Sequence, residues 1–230
     1  MKTLSKEEIQ NLYTFTRQHY VEHYDLQTEL VDHLANDIEA IWKDNPNLSF
    51  IEARDQSFKK FGVFGFMDVV EQRQKAMNKK YLKYLWVEAK QWFTIPKIII
   101  TLTLFLGFYL SFKSAIANYF FWAYYIIMAV WCFIRVVSLN RTFAKRKKLN
   151  NKKWLLEEII FKQAGGTGLV LISQLPSWEN IAQDSFSNGY FVVAVSIFTT
   201  LFFIWLFISY QLLPGKAEEL LKTTYPEYSL

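Results

Sequence analysis

Three ionisable side chains near the N-terminus stand at helical spacing. Glu29, His33 and Asp37 are four residues apart, which places them in one row along a helix. Two carboxylates flanking an imidazole suit a divalent metal, or a pH-sensitive switch because the anions favour the charged histidine. The spacing matches no zinc signature, and ion pairs on helix surfaces are common, so a structural or partner-facing row is the third interpretation. We assign no metal, cofactor or catalytic residue here and predict an interaction or switch row.

A glycine-rich stretch, Ala164-Gly-Gly-Thr-Gly168, is the second suggestive group. Glycine-rich turns cradle phosphates, but this one lacks the preceding strand and the Lys-Ser/Thr pair of a phosphate-binding loop. Small residues also allow membrane helices to approach closely. Ala164, Gly165 and Gly168 are therefore predicted helix-packing positions. Nucleophile-elbow and HExxH motifs are absent from the sequence, and we expect a protein without catalysis.

The composition points to a membrane protein. Of the 230 residues, 52% are hydrophobic and 18% aromatic, whereas only 20% are charged, which excludes disordered and collagen-like classes. A single cysteine, Cys132, rules out a disulfide framework within one chain. The net charge of +5 would also suit a nucleic-acid binder, so the location of the charges has to distinguish the two classes.

Four apolar stretches are long enough to cross a bilayer, which needs roughly 20 residues. They cover about residues 95–112, 115–137, 159–178 and 190–213. The third is the weakest because Lys162, Gln163 and three glycines dilute it. No Asp or Glu lies inside any of the four stretches, which disfavours ion-coupled transport.

Basic residues are concentrated beside these stretches. Residues 73–97 hold seven Lys or Arg, and a basic cytoplasmic loop is predicted over residues 138–153. We call seven residues of the second region the basic belt: Arg141, Lys145, Arg146, Lys147, Lys148, Lys152 and Lys153. Because basic flanks remain in the cytoplasm, both termini are predicted to be cytoplasmic.

The basic belt has two interpretations. Each basic residue near anionic lipid gains about 1 kcal/mol, so the belt is predicted to bind a bilayer containing anionic lipids and to set the topology. Residues 1–72 carry seven basic and thirteen acidic side chains, a net charge of −6. Docking of this acidic head on the belt is the alternative. The positive charge that lies beside the apolar stretches therefore indicates the membrane topology, and we expect no direct contact with nucleic acid.

Helix signals dominate the head. Two capping boxes, Ser5–Glu8 and Ser49–Glu52, begin helices, and Asp25 is expected to cap the helix between them. Gly62 suits a left-handed position after the third helix. A fourth helical pattern runs toward Trp92 and is compatible with continuation into the first span as one rod.

The domain organisation follows from these patterns. Residues 1–78 are predicted to form a cytoplasmic helical domain, 79–94 a basic juxtamembrane helix, 95–213 the four spans and 214–230 a cytoplasmic tail. No alternating period indicates strands. The predicted fold is all-α, with a small N-terminal cytoplasmic helical bundle followed by a four-helix transmembrane bundle.

Three short motifs lie between Asp25 and Arg73. They are ELVDHL at 29–34, SFIEA at 49–53 and FG at 61–62. Together they resemble the HAAS signalling domain, a small cytoplasmic helical domain that precedes several membrane helices in bacterial proteins whose genes often neighbour PadR-type regulators. The resemblance implies a multi-pass protein of the bacterial inner (cytoplasmic) membrane, with a PadR-type regulator as its cytoplasmic partner and no catalytic residues to transfer.

We therefore expect a non-catalytic integral membrane protein that acts as a signalling or regulatory accessory through its helical head. The alternative is a small transporter or channel, or a transporter subunit, regulated by the head. An enzyme that acts on lipid is the third class. The small head and the glycine-rich third span are also compatible with a homodimer.

Overall fold

The computed structural model describes residues 2–150, 152–163 and 185–229, together with Gly166 and Ser173. Every regular element in these residues is helical, which confirms the all-α prediction. The chain divides into two compact units. Unit 1 comprises Met1–Lys79 with Leu149–Leu156, and unit 2 comprises Lys80–Lys148 with Glu157–Leu230.

Unit 1 is built from three helices and the first part of a fourth. They are α1 (Lys6–Gln18), α2 (Tyr24–Asp44), α3 (Phe50–Lys59) and α4 (Met67–Gln91). Both predicted capping boxes are present at α1 and α3. The helices pack around fully buried aliphatic side chains, namely Leu12, Leu26, Leu30, Leu34 and Ile38. This core fixes the rotation of α2 and hence the direction in which its polar row faces.

The turn between α3 and α4 depends on two glycines. Gly62 has φ +76° and Gly65 has φ +55°, a backbone region that glycine adopts without steric cost. A Cβ atom on Gly65 would lie 2.9 Å from Cζ of Phe58. The turn therefore brings the backbone close to an aromatic cluster formed by Phe15, Phe58, Phe61 and Phe66.

The prediction that Asp25 caps α2 is wrong. The N-cap position is His23, which makes no side-chain capping bond, and Asp25 lies in the first turn. Its carboxylate is buried and its Oδ1 accepts a hydrogen bond from the amide of Leu155, at 3.2 Å. A long-range partner has therefore replaced the local one.

Unit 2 contains the apolar helices. It holds the second part of α4, α5 (Lys97–Lys113), α6 (Ala117–Asn150), the end of α7 (Leu155–Glu158), α8 (Gly189–Phe207) and α9 (Ala217–Thr224). A π-helical turn, Ile159–Gln163, follows α7, and another, Ile208–Leu212, extends α8. α5 packs along α8 and contacts α6 through aromatic rings, including Phe108 with Tyr124 at 5.0 Å.

Among the described residues, two helices, Ala117–Leu149 and Gly189–Gly215, are long and apolar enough to cross a membrane. They correspond to the second and fourth predicted spans. α5 corresponds to the first and has 17 residues, or about 26 Å of helix. Most of the third predicted span, 159–178, lies outside the described residues.

The ends of α4 and α6 bear on two predictions. Residues 138–150 are the end of α6 and not a loop, because no glycine or proline interrupts this stretch of good helix formers. α4 does not continue into α5 as one rod, which the sequence leaves possible; α4 ends at Gln91 and α5 begins after Pro96, so the break includes the predicted boundary between residues 94 and 95. Proline lacks the amide hydrogen that a helix interior requires and crowds the preceding turn.

Candidate functional site

The predicted row lies on the exposed edge of α2, and other elements of unit 1 contact it. Nζ of Lys60 lies 2.6 Å from Oδ1 of Asp37. Nε of Arg73, from α4, lies 3.6 Å from Oε2 of Glu29. His33, between them, is exposed. The structure therefore brings a cation to each end of the row and leaves its imidazole open.

A pocket of about 410 Å³ opens beside the middle of the row. His33 and Asp37 form part of its wall. The other lining residues come from α2, α3, the following turn and α4, and they are Leu30, Ser57, Lys60, Phe61 and Val69. An apolar lining with a few convergent polar groups is the usual composition of a binding pocket. Glu29 is not among the lining residues, so the row is only partly a single site.

The electrostatics of the pocket depend on Asp37. Burial is the largest single influence and raises the pKa of its carboxyl, but the hydrogen bond from Lys60, the Ser57 hydroxyl and the charge of Lys60 together outweigh it, so the pKa lies below its ordinary value. The buried hydroxyl of Ser57 acts in the same direction, although its oxygen makes no hydrogen bond of standard geometry. Asp37 is therefore ionised at neutral pH, and the pocket presents a carboxylate, an ammonium, an imidazole and a hydroxyl.

The other histidines of the head do not extend this site. The ring of His19 packs in the aromatic cluster, with centroids 4.4 Å from both Phe15 and Phe58. His23 occupies the N-cap of α2. Within the described ranges, no group of three or more His, Cys, Asp or Glu residues is arranged to hold a metal ion.

The basic belt is divided between two environments. Arg141, Lys145, Lys147 and Lys148 project from the end of α6 and are exposed. Arg146 forms an ion pair with the buried carboxylate of Glu157 at 2.6 Å and donates to the hydroxyl of Tyr228 at 2.9 Å. The belt is thus only partly a free cationic surface.

The last two belt residues belong to unit 1. Lys153 forms an ion pair with Glu22 at 2.5 Å, and Nζ of Lys152 lies 4.3 Å from the ring centre of Tyr24. The amide of Tyr24 also donates to the carbonyl of Lys153 at 2.7 Å. Residues 152–155 are therefore held by the start of α2 through charge, ring and backbone contacts.

A polar seam in unit 2 was not predicted from the sequence. The C-terminal part of α4 joins the chain beyond Phe207 through three side-chain pairs. They are Tyr81 with Ser209 at 2.9 Å, Tyr84 with Thr224 at 3.3 Å, and Glu88 with Lys216 at 2.6 Å. One sequence signal for it exists, since Glu88 is the only acidic residue between Arg73 and Lys97.

The predicted tail, 214–230, contains α9 and takes part in this seam. Ala217, Leu221 and Tyr225 are buried, and their spacing of four residues is the signal that would have indicated a packed helix. The predicted packing positions Ala164, Gly165 and Gly168 lie outside the described residues.

Comparisons of the chain with protein-family models, with curated proteins and with solved structures found no match.

Proposed function

We propose that this chain is a multi-pass membrane protein with both termini in the cytoplasm. The observation that carries the proposal is the low burial of its most apolar helices. In the most apolar 18-residue window of each helix, only 22% of the residues of α6 and 44% of the residues of α8 are buried. The core helix of a soluble protein, by contrast, is mostly buried. Soluble monomers rarely expose such continuous apolar surface. A lipid environment accounts for it.

α5 is proposed as a further span. Its length of about 26 Å is close to the roughly 30 Å of the hydrocarbon core. Leu102, Leu106 and Leu110 are exposed at four-residue spacing along one side of it, while Phe108 and Phe112 are buried. A helix with one packed side and one exposed leucine stripe fits the lipid-facing edge of a bundle.

We further propose that unit 1 is a non-catalytic signalling or regulatory module that binds a protein partner. Its helices have a core of their own, and its pocket combines apolar walls with His33, Asp37 and Lys60. The resemblance to the HAAS domain suggests a PadR-type regulator as the partner and the bacterial inner membrane as the location. The same resemblance supplies no catalytic residue.

Cysteine accessibility tests the membrane part of the proposal. In a Cys132→Ser background, single cysteines replace Ser114, between α5 and α6, and Thr223, on α9; both positions are exposed. We expect a membrane-impermeant thiol reagent added to intact cells to label position 114 and not position 223. Recovery of the protein in the soluble fraction, or the reverse labelling pattern, would contradict the proposal.

Site-specific cross-linking tests the module. A photo-crosslinking amino acid replaces His33 in the pocket wall or, as the matched control, the exposed Asn36 on the same helix. We expect the cell's PadR-type regulator to cross-link from position 33, and Asp37→Asn to weaken that product. Equal cross-linking from both positions, or none from position 33, would refute a partner site at the pocket.

A further inference from the structure

The C-terminal part of α4, residues 80–91, has a packed side and an exposed apolar side. One side packs within unit 2 through Tyr81, Leu85 and Glu88, all buried, and Trp92 follows on the same side. The other side is exposed, with Leu82 at 53% and Trp86 at 62%, and Phe93 continues it at 52% just after the helix ends. A helix that only covered the unit 2 core would carry polar residues on its second side.

Lysines border this exposed apolar stripe. At 100° per residue, Lys83 and Lys90 lie next to Leu82 and Trp86 on the side away from the core, and both lysines are exposed. Nζ of Lys90 lies 5.6 Å from the ring centre of Trp86. The pattern of aromatic and aliphatic residues beside a lysine row is typical of helices that lie in the membrane interface.

We propose that this lysine-bordered stripe, formed by Leu82, Trp86 and Phe93, lies in the cytoplasmic headgroup layer and binds anionic lipids. The stripe would bury its apolar side chains at the boundary with the acyl chains, where tryptophan is favoured. The lysines would extend along it to the lipid phosphates. The inference rests on the proposed membrane location.

Two observations favour lipid over a second copy of the chain. The stripe is continuous in sequence with α5, which begins at Lys97, four residues beyond Phe93. A symmetric pairing of two stripes would also bring two lysine rows together without any acidic residue between them, since Glu88 faces the core. Like charges brought together in an interface are unfavourable, whereas a layer of anionic headgroups neutralises them.

Depth measurements on the full chain in nanodiscs test the proposal. In a Cys132→Ser background, an environment-sensitive fluorophore is attached at position 82, 87 or 126. Val87 is the matched control, because it is exposed on the same helix but lies about 140° around the axis from Leu82. Ile126, an exposed residue of α6, reports whether the chain is inserted at all.

We expect nitroxide lipids with headgroup-proximal spin labels to quench the probe at position 82 more than the probe at position 87, and lipids spin-labelled deep in the acyl chain to quench the probe at position 126. Quenching at position 82 should be stronger with phosphatidylglycerol present than in phosphatidylcholine alone. The pair Lys83→Gln and Lys90→Gln should weaken the lipid-bound state by up to about fivefold for each lysine while leaving quenching at position 126 unchanged.

The outcomes separate this inference from the proposed function. Quenching at position 126 with equal, weak quenching at positions 82 and 87 would overturn the interfacial stripe and leave the membrane location intact. A blue-shifted but unquenched probe at position 82 would mean that protein covers the stripe, which also overturns it. Absence of quenching at all three positions would overturn the membrane location and the stripe together.

Discussion

Replacing Asp25 by alanine should release residues 152–156 from the start of α2. The carboxylate of Asp25 is buried, and its Oδ1 accepts the amide hydrogen of Leu155, the first residue of α7. The first amides of a helix have no partner within it. In Asp25→Ala the Leu155 amide therefore loses its acceptor inside a buried environment, next to the fully packed ring of Trp154.

The cost can be worked from this geometry. A hydrogen bond to a charged group contributes about 1.5–3 kcal/mol. The distance of 3.2 Å is long for a charge-assisted bond, so we expect about 2 kcal/mol for Asp25→Ala. Asp25→Asn keeps a carbonyl acceptor and loses only the charge, which should cost about 1 kcal/mol. These values correspond to roughly 30-fold and fivefold more frequent local opening.

Amide hydrogen exchange of the full-length protein in detergent measures this opening. Peptides covering residues 152–158 should exchange faster in the order wild type, Asp25→Asn, Asp25→Ala. Asp32→Ala is the control, because Asp32 is exposed on the same helix and its loss changes the net charge equally. Unchanged exchange at 152–158 in Asp25→Ala, or equal acceleration in Asp32→Ala, would refute the anchoring role of Asp25.

Three further predictions concern stability. Glu157→Gln should destabilise unit 2 by about 2 kcal/mol, because it leaves the half-buried Arg146 guanidinium without its carboxylate. Thermal melting in detergent should show a much smaller loss of stability for Glu158→Gln, which breaks only an i,i+4 ion pair with Lys162. Equal losses for the two variants would contradict this prediction. The pKa of Asp37 is lowered, so its ionised form stabilises the fold above its ordinary pKa of 3.8. The advantage of the wild type over Asp37→Asn, less than about 1 kcal/mol for this exposed pair, should therefore disappear as the pH falls through the lowered pKa. Denaturation between pH 2 and 7 checks this, and an advantage that grows toward low pH would exclude it. In the same melting experiments, Gly62→Ala should lower the stability by roughly 1–2 kcal/mol. The positive φ alone causes this loss, because a Cβ atom at this position would meet nothing within 4 Å. Gly62→Asn should lower the stability less, since asparagine adopts this backbone conformation more readily, and the opposite order would show that space limits this position.

Local chemistry made parts of the head predictable. A capping box satisfies two amides with residues three positions apart, and both predicted boxes, at Ser5 and Ser49, are formed. The positive φ of Gly62 was likewise visible as a glycine after the last residues of a helical pattern. Each of these features depends only on neighbouring residues.

Features that depend on distant residues were missed. Asp25 has the composition of a cap, but its carboxylate bonds to Leu155, 130 residues away in the chain. The row at Glu29, His33 and Asp37 was recognisable from spacing, whereas the cations that contact it, Lys60 and Arg73, come from other elements. Spacing along one helix identifies which side chains share a face, and only tertiary packing decides what faces them.

The length of α6 beyond the second predicted span has a different cause. The second span is predicted to end at 137, where the apolar residues end, and α6 continues beyond that point to Asn150. Hydropathy reports where a helix can leave the bilayer, and it does not report where the helix itself ends. Helix propensity does, and the stretch from Ser138 to Asn150 holds no residue that breaks a helix.

The basic belt shows why net charge alone cannot assign a role. Its seven cations looked equivalent in sequence, yet Arg146 and Lys153 are committed to Glu157 and Glu22. Removing all seven would therefore break structural pairs in both units together with any attraction to lipid. The remaining exposed cations are a cleaner probe, because Arg141, Lys145, Lys147 and Lys148 lie together on the last turns of α6. Neutralising those four separates the attraction to anionic lipid from the anchoring of residues 152–156, which depends on contacts that they do not make.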